Sequence, residues 1–265
     1  MRAVCSAKDK SCPGTVETQP ALGSIEYARA LWGERPDLSG HPVVSSRGGI
    51  MRAEPDRTVQ RPRALSARGP MTLALLGAAA LVVLSVLVAT RTTQDIDVAV
   101  RDLLRPDDEW GEVQMRVDVV VEGLKPRNIA VLLALIGLVA SLVHSSWRPA
   151  LYTALVAGLA GALTLLIKLA LERTDPHHDM TAVGGSFPSG HTMSVLVCFG
   201  LVVLLVRDRS RWWEWAFVAL VGLAMGLSLL IQAAHWFTDV VGGFLVALTV
   251  MAAASTLRLR EPRRR

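Results

Sequence analysis

Residues 187–206 read FPSGHTMSVLVCFGLVVLLV, a polar Pro-Ser-Gly-His motif that leads directly into a run of apolar residues. A second polar motif, His-Trp-Phe-Thr-Asp at residues 235–239, stands between two further apolar runs. Ionisable residues beside membrane spans are rare and costly, which makes them functional candidates. The pattern predicts that His191 and His235 are held together at a membrane surface.

The apolar run after His191 is one of several. About 20 apolar residues are needed to cross a hydrocarbon core of about 30 Å. The chain of 265 residues is 51% hydrophobic and only 19% charged. These features predict an all-α fold, a polytopic membrane bundle of six transmembrane helices. The predicted spans are 71–90, 128–146, 150–171, 190–206, 214–234 and 238–256.

The chain divides into a membrane domain and two basic tails. Residues 1–68 are rich in Arg, Pro, Ser and Gly without a sustained period, which predicts a disordered cytoplasmic tail. Met51 and Met71 are alternative starts, so the beginning of this tail is a candidate mis-assigned start. Residues 69–257 form the predicted six-helix domain, and residues 258–265 form a second basic tail.

Arginine clusters predict the orientation in the plasma membrane. Lys and Arg are enriched in cytoplasmic segments, and these clusters flank the apolar runs. Both termini are therefore predicted to be cytoplasmic, and both histidine motifs face the periplasmic or external side. The arginines are Arg52, Arg57, Arg61, Arg63 and Arg68 before the first span, Arg207, Arg209 and Arg211 after the fourth, and Arg258, Arg260, Arg263, Arg264 and Arg265 at the end.

The formal charge of +5 requires no nucleic-acid partner, because basic flanks beside apolar spans serve topology and contact anionic lipids. Membrane lipids are the expected partners. Only four of the 28 basic residues are lysines. This arginine bias, with abundant Ala, Val, Leu and Gly, is typical of a GC-rich bacterial genome.

The two motifs carry the residue types that phosphate chemistry uses. Ser189 and Gly190 open the fourth span, where free N–H groups and the helix dipole favour an anion. An ordinary Pro-Ser helix start is the plainer alternative. His235 and Asp239 have the spacing of one helix face, so the carboxylate can fix the tautomer of the imidazole and strengthen it as a nucleophile. An interfacial anchor is the alternative there.

Two cations stand at the external end of the third predicted span. Lys168 lies near its end and Arg173 follows a few residues later. Both are candidates to bind an anion in the same external pocket. The alternative is interfacial snorkelling, in which a long side chain only carries its charge to the headgroups.

Over roughly residues 70–256 the chain resembles the type 2 phosphatidic acid phosphatase and vanadium haloperoxidase superfamily. That family carries Lys followed after six residues by Arg-Pro, then Pro-Ser-Gly-His, then Ser-Arg followed after five residues by His and, four further on, Asp. Residues 188–191 match the second motif fully, Lys168 begins the first, and His235 and Asp239 end the third.

The resemblance implies a phosphatase that needs no metal or other cofactor. It implies that His235 attacks phosphorus, that Asp239 orients its imidazole, and that His191 protonates the leaving oxygen and then activates water. The resemblance and the helix-start argument together give the predicted phosphate ligands Lys168, Arg173, Ser189 and Gly190.

Two positions depart from the family pattern. Asp175 stands where the first motif has Arg, and Leu229 stands where the third has Arg. Neither residue replaces a bidentate guanidinium on phosphate. Three ways to compensate are open: Arg173 moves to the phosphate, His177 or His178 supplies a cation, or a metal is bound by Asp175, His177, His178 and Asp179.

The functional hypothesis is an integral membrane phosphatase that hydrolyses a lipid phosphate or diphosphate at the external leaflet through a phosphohistidine. The substrate class is a polyprenyl diphosphate or a phosphatidyl phosphate. The alternative is a catalytically weak or inactive family member that binds lipid headgroups. A vanadate-dependent haloperoxidase and a transporter are less favoured.

Overall fold

The computed structural model describes residues 68–180, 184–207 and 210–257, and this part of the chain is helical without strands. The predicted all-α class is therefore confirmed. A 3₁₀ turn at Pro106–Asp108 separates the second and third helices. In order, the α-helices are α1 (Arg68–Ala89), α2 (Gln94–Leu104), α3 (Glu112–Gly123), α4 (Pro126–Val143), α5 (Arg148–Leu171), α6 (Gly190–Val206), α7 (Trp212–Ile231) and α8 (Phe237–Thr256).

Five of these helices, α1, α4, α5, α7 and α8, are long and apolar enough to cross a membrane. The sixth apolar helix, α6, has the predicted bounds but only 17 residues. Six crossings thus remain a prediction. The predicted tails lie outside the described residues, apart from Arg68, with which α1 begins.

The connection between the first two long helices is largely helical because it holds α2 and α3. Both helices carry charged residues every few positions, so neither forms a long apolar run. A short helix with one buried stripe is stabilised by what it packs against, and both pack on α7. This connection adds a polar layer at one end of the bundle.

The bundle is built around α6 and α8. α6 packs against α4, α5, α7 and α8, and α8 packs also on α1 and α5. The outward side chains of the surrounding helices are exposed leucines such as Leu76, Leu166 and Leu220. A helix saturates its own backbone hydrogen bonds, so an apolar exterior of this kind is stable in lipid. The helices that carry the two histidine motifs therefore lie in the best-packed part of the protein.

Glycines let the beginning of α8 approach the Pro-Ser-Gly-His segment closely. A Cβ at Gly243 would lie 2.7 Å from the carbonyl oxygen of Ser189 and 3.0 Å from Cβ of Thr192. A Cβ at Gly242 would lie 2.7 Å from the ring of Phe187. Small residues at helix interfaces allow backbones to pack directly. The contact fixes the second motif against the third.

We predict that Gly243→Ala destabilises the protein by about 1 to 3 kcal/mol, because the methyl group overpacks the contact with the Ser189 backbone. Gly158→Ala is the matched control, since a Cβ at Gly158 meets nothing within 4 Å. Thermal unfolding in detergent measures both. Equal stability of the two variants would show that the α6–α8 contact tolerates a side chain.

Candidate active site

Both histidines lie at the same end of the bundle. His191 is in the first turn of α6, and His235 stands two residues before Phe237, the first residue of α8. Their ring centroids are 6.2 Å apart, with an angle of 70° between the ring planes. The predicted convergence of the two motifs is therefore present in the structure.

His235 and Asp239 form a buried pair. Nδ1 of His235 lies 3.3 Å from Oδ2 of Asp239, and the two residues are 7% and 0% exposed. A carboxylate on this side of the ring favours the tautomer with the proton on Nδ1. Nε2 of His235 is then left with its lone pair, which is the form a nucleophilic histidine requires.

The spacing of His235 and Asp239 predicted that both lie on one helix face. That prediction is wrong, because His235 precedes the helix. The chain turns after α7, where Ala233 has a φ of 53°, and α8 starts only at Phe237. The carboxylate of Asp239 instead points back along the chain toward His235. Its Oδ2 also accepts a hydrogen bond from the backbone N–H of Trp236 at 2.9 Å. Carboxylates in the first turn commonly satisfy free N–H groups in this way. The two side chains meet across the helix start.

Ser189 is the N-cap of α6. Its Oγ accepts a hydrogen bond from the N–H of Thr192 at 3.4 Å, and its own N–H donates to the carbonyl oxygen of Asp239 at 2.9 Å. Ser189 therefore has the capping contact of an ordinary helix start, and its hydroxyl proton is still available to donate to a ligand. The first N–H groups of a helix have no partner within it, and they form an anion site. Phosphate binding by Ser189 and Gly190 stays a prediction.

His191 has a buried ring nitrogen beside the second histidine. This atom, Nε2, has no hydrogen-bond partner in the described part of the chain. Most buried polar atoms are satisfied, so this exception at a helix start beside a second histidine keeps His191 a functional candidate. The geometry fits a group that exchanges a proton with a bound molecule.

The two predicted cations are both engaged with protein acceptors. Lys168, in the last turn of α5, donates to the carbonyl oxygens of Gly185 and Ser186. Arg173 follows the end of α5 and donates to Asp239 Oδ1 at 2.8 Å and to Asp97 Oδ2 at 2.6 Å. Their phosphate-binding role stays a prediction.

The two departures from the family pattern have structural roles of their own. Asp175 organises a turn, because its Oδ1 accepts hydrogen bonds from the N–H groups of His177 and Asp179, each at 2.9 Å. Leu229 is 0% exposed and packs in the apolar core. Within residues 68–180, 184–207 and 210–257, no three His, Cys, Asp or Glu side chains are placed to hold a metal ion. The metal alternative for this turn has no support.

Sequence patterns missed two buried charged residues from the polar layer. Asp97 on α2 is 1% exposed and contacts the start of α8. Arg105, 7% exposed, donates to the carbonyl oxygen of Gln232 at 2.6 Å, in the turn before His235. On a short amphipathic helix nothing in the sequence separates Asp97 from the exposed Asp95. Only the tertiary contact shows which of them is buried.

Comparisons with known proteins agree with this fold. Residues 149–263 match the model of the PAP2 superfamily. No curated protein matches the chain. A similar solved structure is that of a transmembrane PAP2-type phosphatidylglycerolphosphate phosphatase from Bacillus subtilis, with a TM-score of 0.62 and 18% identity over 73% of this chain and 99% of that one. The predicted resemblance is confirmed: the matched residues carry Lys168 and all three candidate catalytic residues, and the helices around them have the fold of a transmembrane PAP2 protein.

Proposed function

We propose that the protein is an integral membrane phosphatase that hydrolyses a lipid phosphate or diphosphate. The observation that carries the proposal is the convergence of the His235–Asp239 pair, His191 and the start of α6 at one end of an apolar bundle. A site at that position can receive a polar headgroup while the tail of the lipid stays in the membrane. Polyprenyl diphosphates and phosphatidyl phosphates are the proposed substrates.

In the first step Nε2 of His235 attacks phosphorus. A bond forms between this nitrogen and phosphorus as the bond from phosphorus to the leaving oxygen breaks. Protonated His191 donates its proton to that oxygen, so the leaving oxygen departs as a hydroxyl group. Asp239 stabilises the positive charge that develops on the imidazole of His235. The product of this step is a phosphohistidine.

In the second step water attacks the phosphohistidine. His191, now neutral, accepts a proton from the water, and phosphate departs from Nε2 of His235. Lys168, the Ser189 hydroxyl and the Gly190 N–H stabilise the negative charge that spreads over the phosphoryl oxygens. The dipole of α6 adds to this stabilisation. Both histidines return to their starting protonation states.

The external leaflet is the proposed location of the site, with both termini in the cytoplasm. Arg207 and Arg211 connect α6 to α7 at the end opposite the histidines, as the positive-inside rule requires of a cytoplasmic segment. The connection that holds α2 and α3 lies on the proposed external side, and it also carries basic residues. Four of them pair with nearby carboxylates, namely Arg101 with Asp102, Arg105 with Asp108, Arg116 with Glu112 and Lys125 with Glu122.

An apolar groove beside the site supports a lipid over a soluble phosphate. A cavity of about 440 Å³ lies between α4, α5 and α6 and is lined mainly by small residues such as Ala134, Gly137 and Ala157. One end lies at Pro126, which is next to Gly190 at the start of α6. From there to Gly137 the groove follows α4 for roughly 16 Å. We propose that it holds the tail of the bound lipid.

The alternative is a membrane protein that keeps the fold and binds a lipid headgroup without turnover. The observation that favours it is the loss of both motif arginines at positions 175 and 229, together with the engagement of Lys168 and Arg173 by protein acceptors. Active-site cations can supply orders of magnitude in phosphoryl transfer. The intact His191, His235 and Asp239 favour the phosphatase.

We predict that purified protein in detergent releases phosphate from at least one member of a panel of polyprenyl diphosphates, phosphatidic acid and phosphatidylglycerol phosphate. His235→Ala should lower kcat by on the order of 10³-fold or more, because it removes the nucleophile. His144→Ala is the matched control, an exposed histidine at the opposite end of α4.

Release that persists in a chelator and is lost only in His235→Ala would support the phosphatase. Equal turnover in His235→Ala and His144→Ala would rule out the histidine mechanism. No release from any lipid, with binding of the same lipids retained, would favour the binding protein.

A second prediction concerns the groove. Ala134→Leu should raise KM for a long-chain lipid phosphate roughly three- to tenfold, because the larger side chain displaces part of the tail. Hydrolysis of the water-soluble p-nitrophenyl phosphate should not change, since that substrate has no tail. Ala79→Leu is the matched control, because it makes the same substitution on the exposed face of α1, away from the groove. An unchanged KM for the long-chain lipid phosphate in Ala134→Leu would place the tail outside the groove.

A further inference from the structure

Asp97 is a buried carboxylate that belongs to none of the three motifs. It lies on α2 and contacts the site end of the bundle, where its Oδ1 accepts a hydrogen bond from the N–H of Thr238 at 2.9 Å. Its Oδ2 accepts from the hydroxyl of Thr238 at 2.8 Å. A buried carboxylate is costly unless it is paired and hydrogen-bonded. The contact therefore ties α2 to the first turn of α8 at a specific position.

Arg173 joins this carboxylate to Asp239. Its Nη2 donates to Oδ2 of Asp97 at 2.6 Å, and its Nη1 donates to Oδ1 of Asp239 at 2.8 Å and to Oγ1 of Thr238 at 2.7 Å. The guanidinium carbon lies 5.4 Å from the centroid of the Trp236 ring. A planar guanidinium can serve two carboxylates at once, which an ammonium group does not reproduce.

The two oxygens of Asp239 are thereby divided between two partners. Oδ1 accepts from Arg173, while Oδ2 faces Nδ1 of His235 and accepts from the N–H of Trp236. Rotation of the carboxylate would break at least one of these contacts. Arg173 therefore fixes the plane in which Asp239 meets the imidazole, and such outer partners set the tautomer and orientation of a histidine.

We infer that Asp97 and Arg173 are a positioning pair for His235 and Asp239, so that Arg173 acts through Asp239 rather than by binding the phosphate. The kinetic part of this inference rests on the proposed phosphatase function. The role differs from the phosphate contact predicted for Arg173 from the sequence. A phosphate ligand and a positioning residue differ in their effect on phosphate affinity, which allows the two to be separated.

The test uses the full-length protein with Asp97→Asn and Arg173→Lys. Both variants should lower kcat on the order of 10²-fold, because a small misplacement of the nucleophile is costly. KM and the inhibition constant of inorganic phosphate should stay within about twofold of the original values. Asp95→Asn is the matched control, since it changes an exposed carboxylate on the same helix. A rise of about tenfold in the phosphate inhibition constant for Arg173→Lys would overturn the inference in favour of a phosphate ligand.

A second pair of variants guards against misfolding of Asp97→Asn. Thr238→Val removes the hydroxyl that bridges Asp97 and Arg173, and Thr238→Ser keeps it. Thr238→Val should lose activity, and Thr238→Ser should retain most of it. Equal kcat in the two Thr238 variants, with a normal kcat in Asp97→Asn, would reduce Asp97 to a structural contact and overturn the inference.

A spectroscopic measurement tests positioning without turnover. In ¹⁵N spectra of histidine-labelled protein, with His235 assigned through His235→Ala, the original protein should show the Nδ1–H tautomer alone. Asp97→Asn should show a mixture of tautomers. This change in a protein without phosphatase activity would refute the proposed function but support the positioning pair. An unchanged His235 spectrum in Asp97→Asn would overturn the pair, whatever the activity of the original protein.

Discussion

The carboxylate and backbone of Asp239 connect His235, Arg173 and the Pro-Ser-Gly-His segment. Its Oδ2 faces His235, its Oδ1 accepts from Arg173, and its carbonyl oxygen accepts from the N–H of Ser189. The third motif is thereby joined to the second through one residue that is 0% exposed. Because a buried carboxylate must be satisfied at both oxygens, the segments that meet there have little freedom to move.

The membrane bundle supplies the support that this residue needs. α6 and α8 are the innermost helices, and Gly243 lets their backbones meet at the motif. Interfaces in lipid gain no hydrophobic energy between helices, so close packing of small residues carries much of the association. The polar layer of α2 and α3 covers the same end, and it brings in Asp97 and Arg105. Fold and site therefore depend on the same contacts.

The sequence predicts the all-α membrane fold well, because long apolar runs have a direct physical meaning. Six crossings and the orientation derived from the arginine flanks stay predictions. The sequence also predicts that His191 and His235 meet, since their motifs stand at the ends of spans on the same side. It does not predict α2 and α3, because charged residues interrupt their apolar residues and leave no long apolar run. Nor does it predict that Arg173 contacts two carboxylates. Asp97 is 76 residues away in the chain, and no sequence pattern distinguishes it from the other acidic residues of its amphipathic helix.

The central claim is that His235 attacks phosphorus, and the most direct measurement is to trap the phosphoryl group on the protein. Protein mixed with a lipid carrying ³²P in its terminal phosphate is quenched in alkali and digested, and the labelled peptide is identified. We expect the label on the peptide that contains His235, with none in His235→Ala. A turning-over enzyme that never carries label on this peptide would contradict the mechanism and point to direct attack by water.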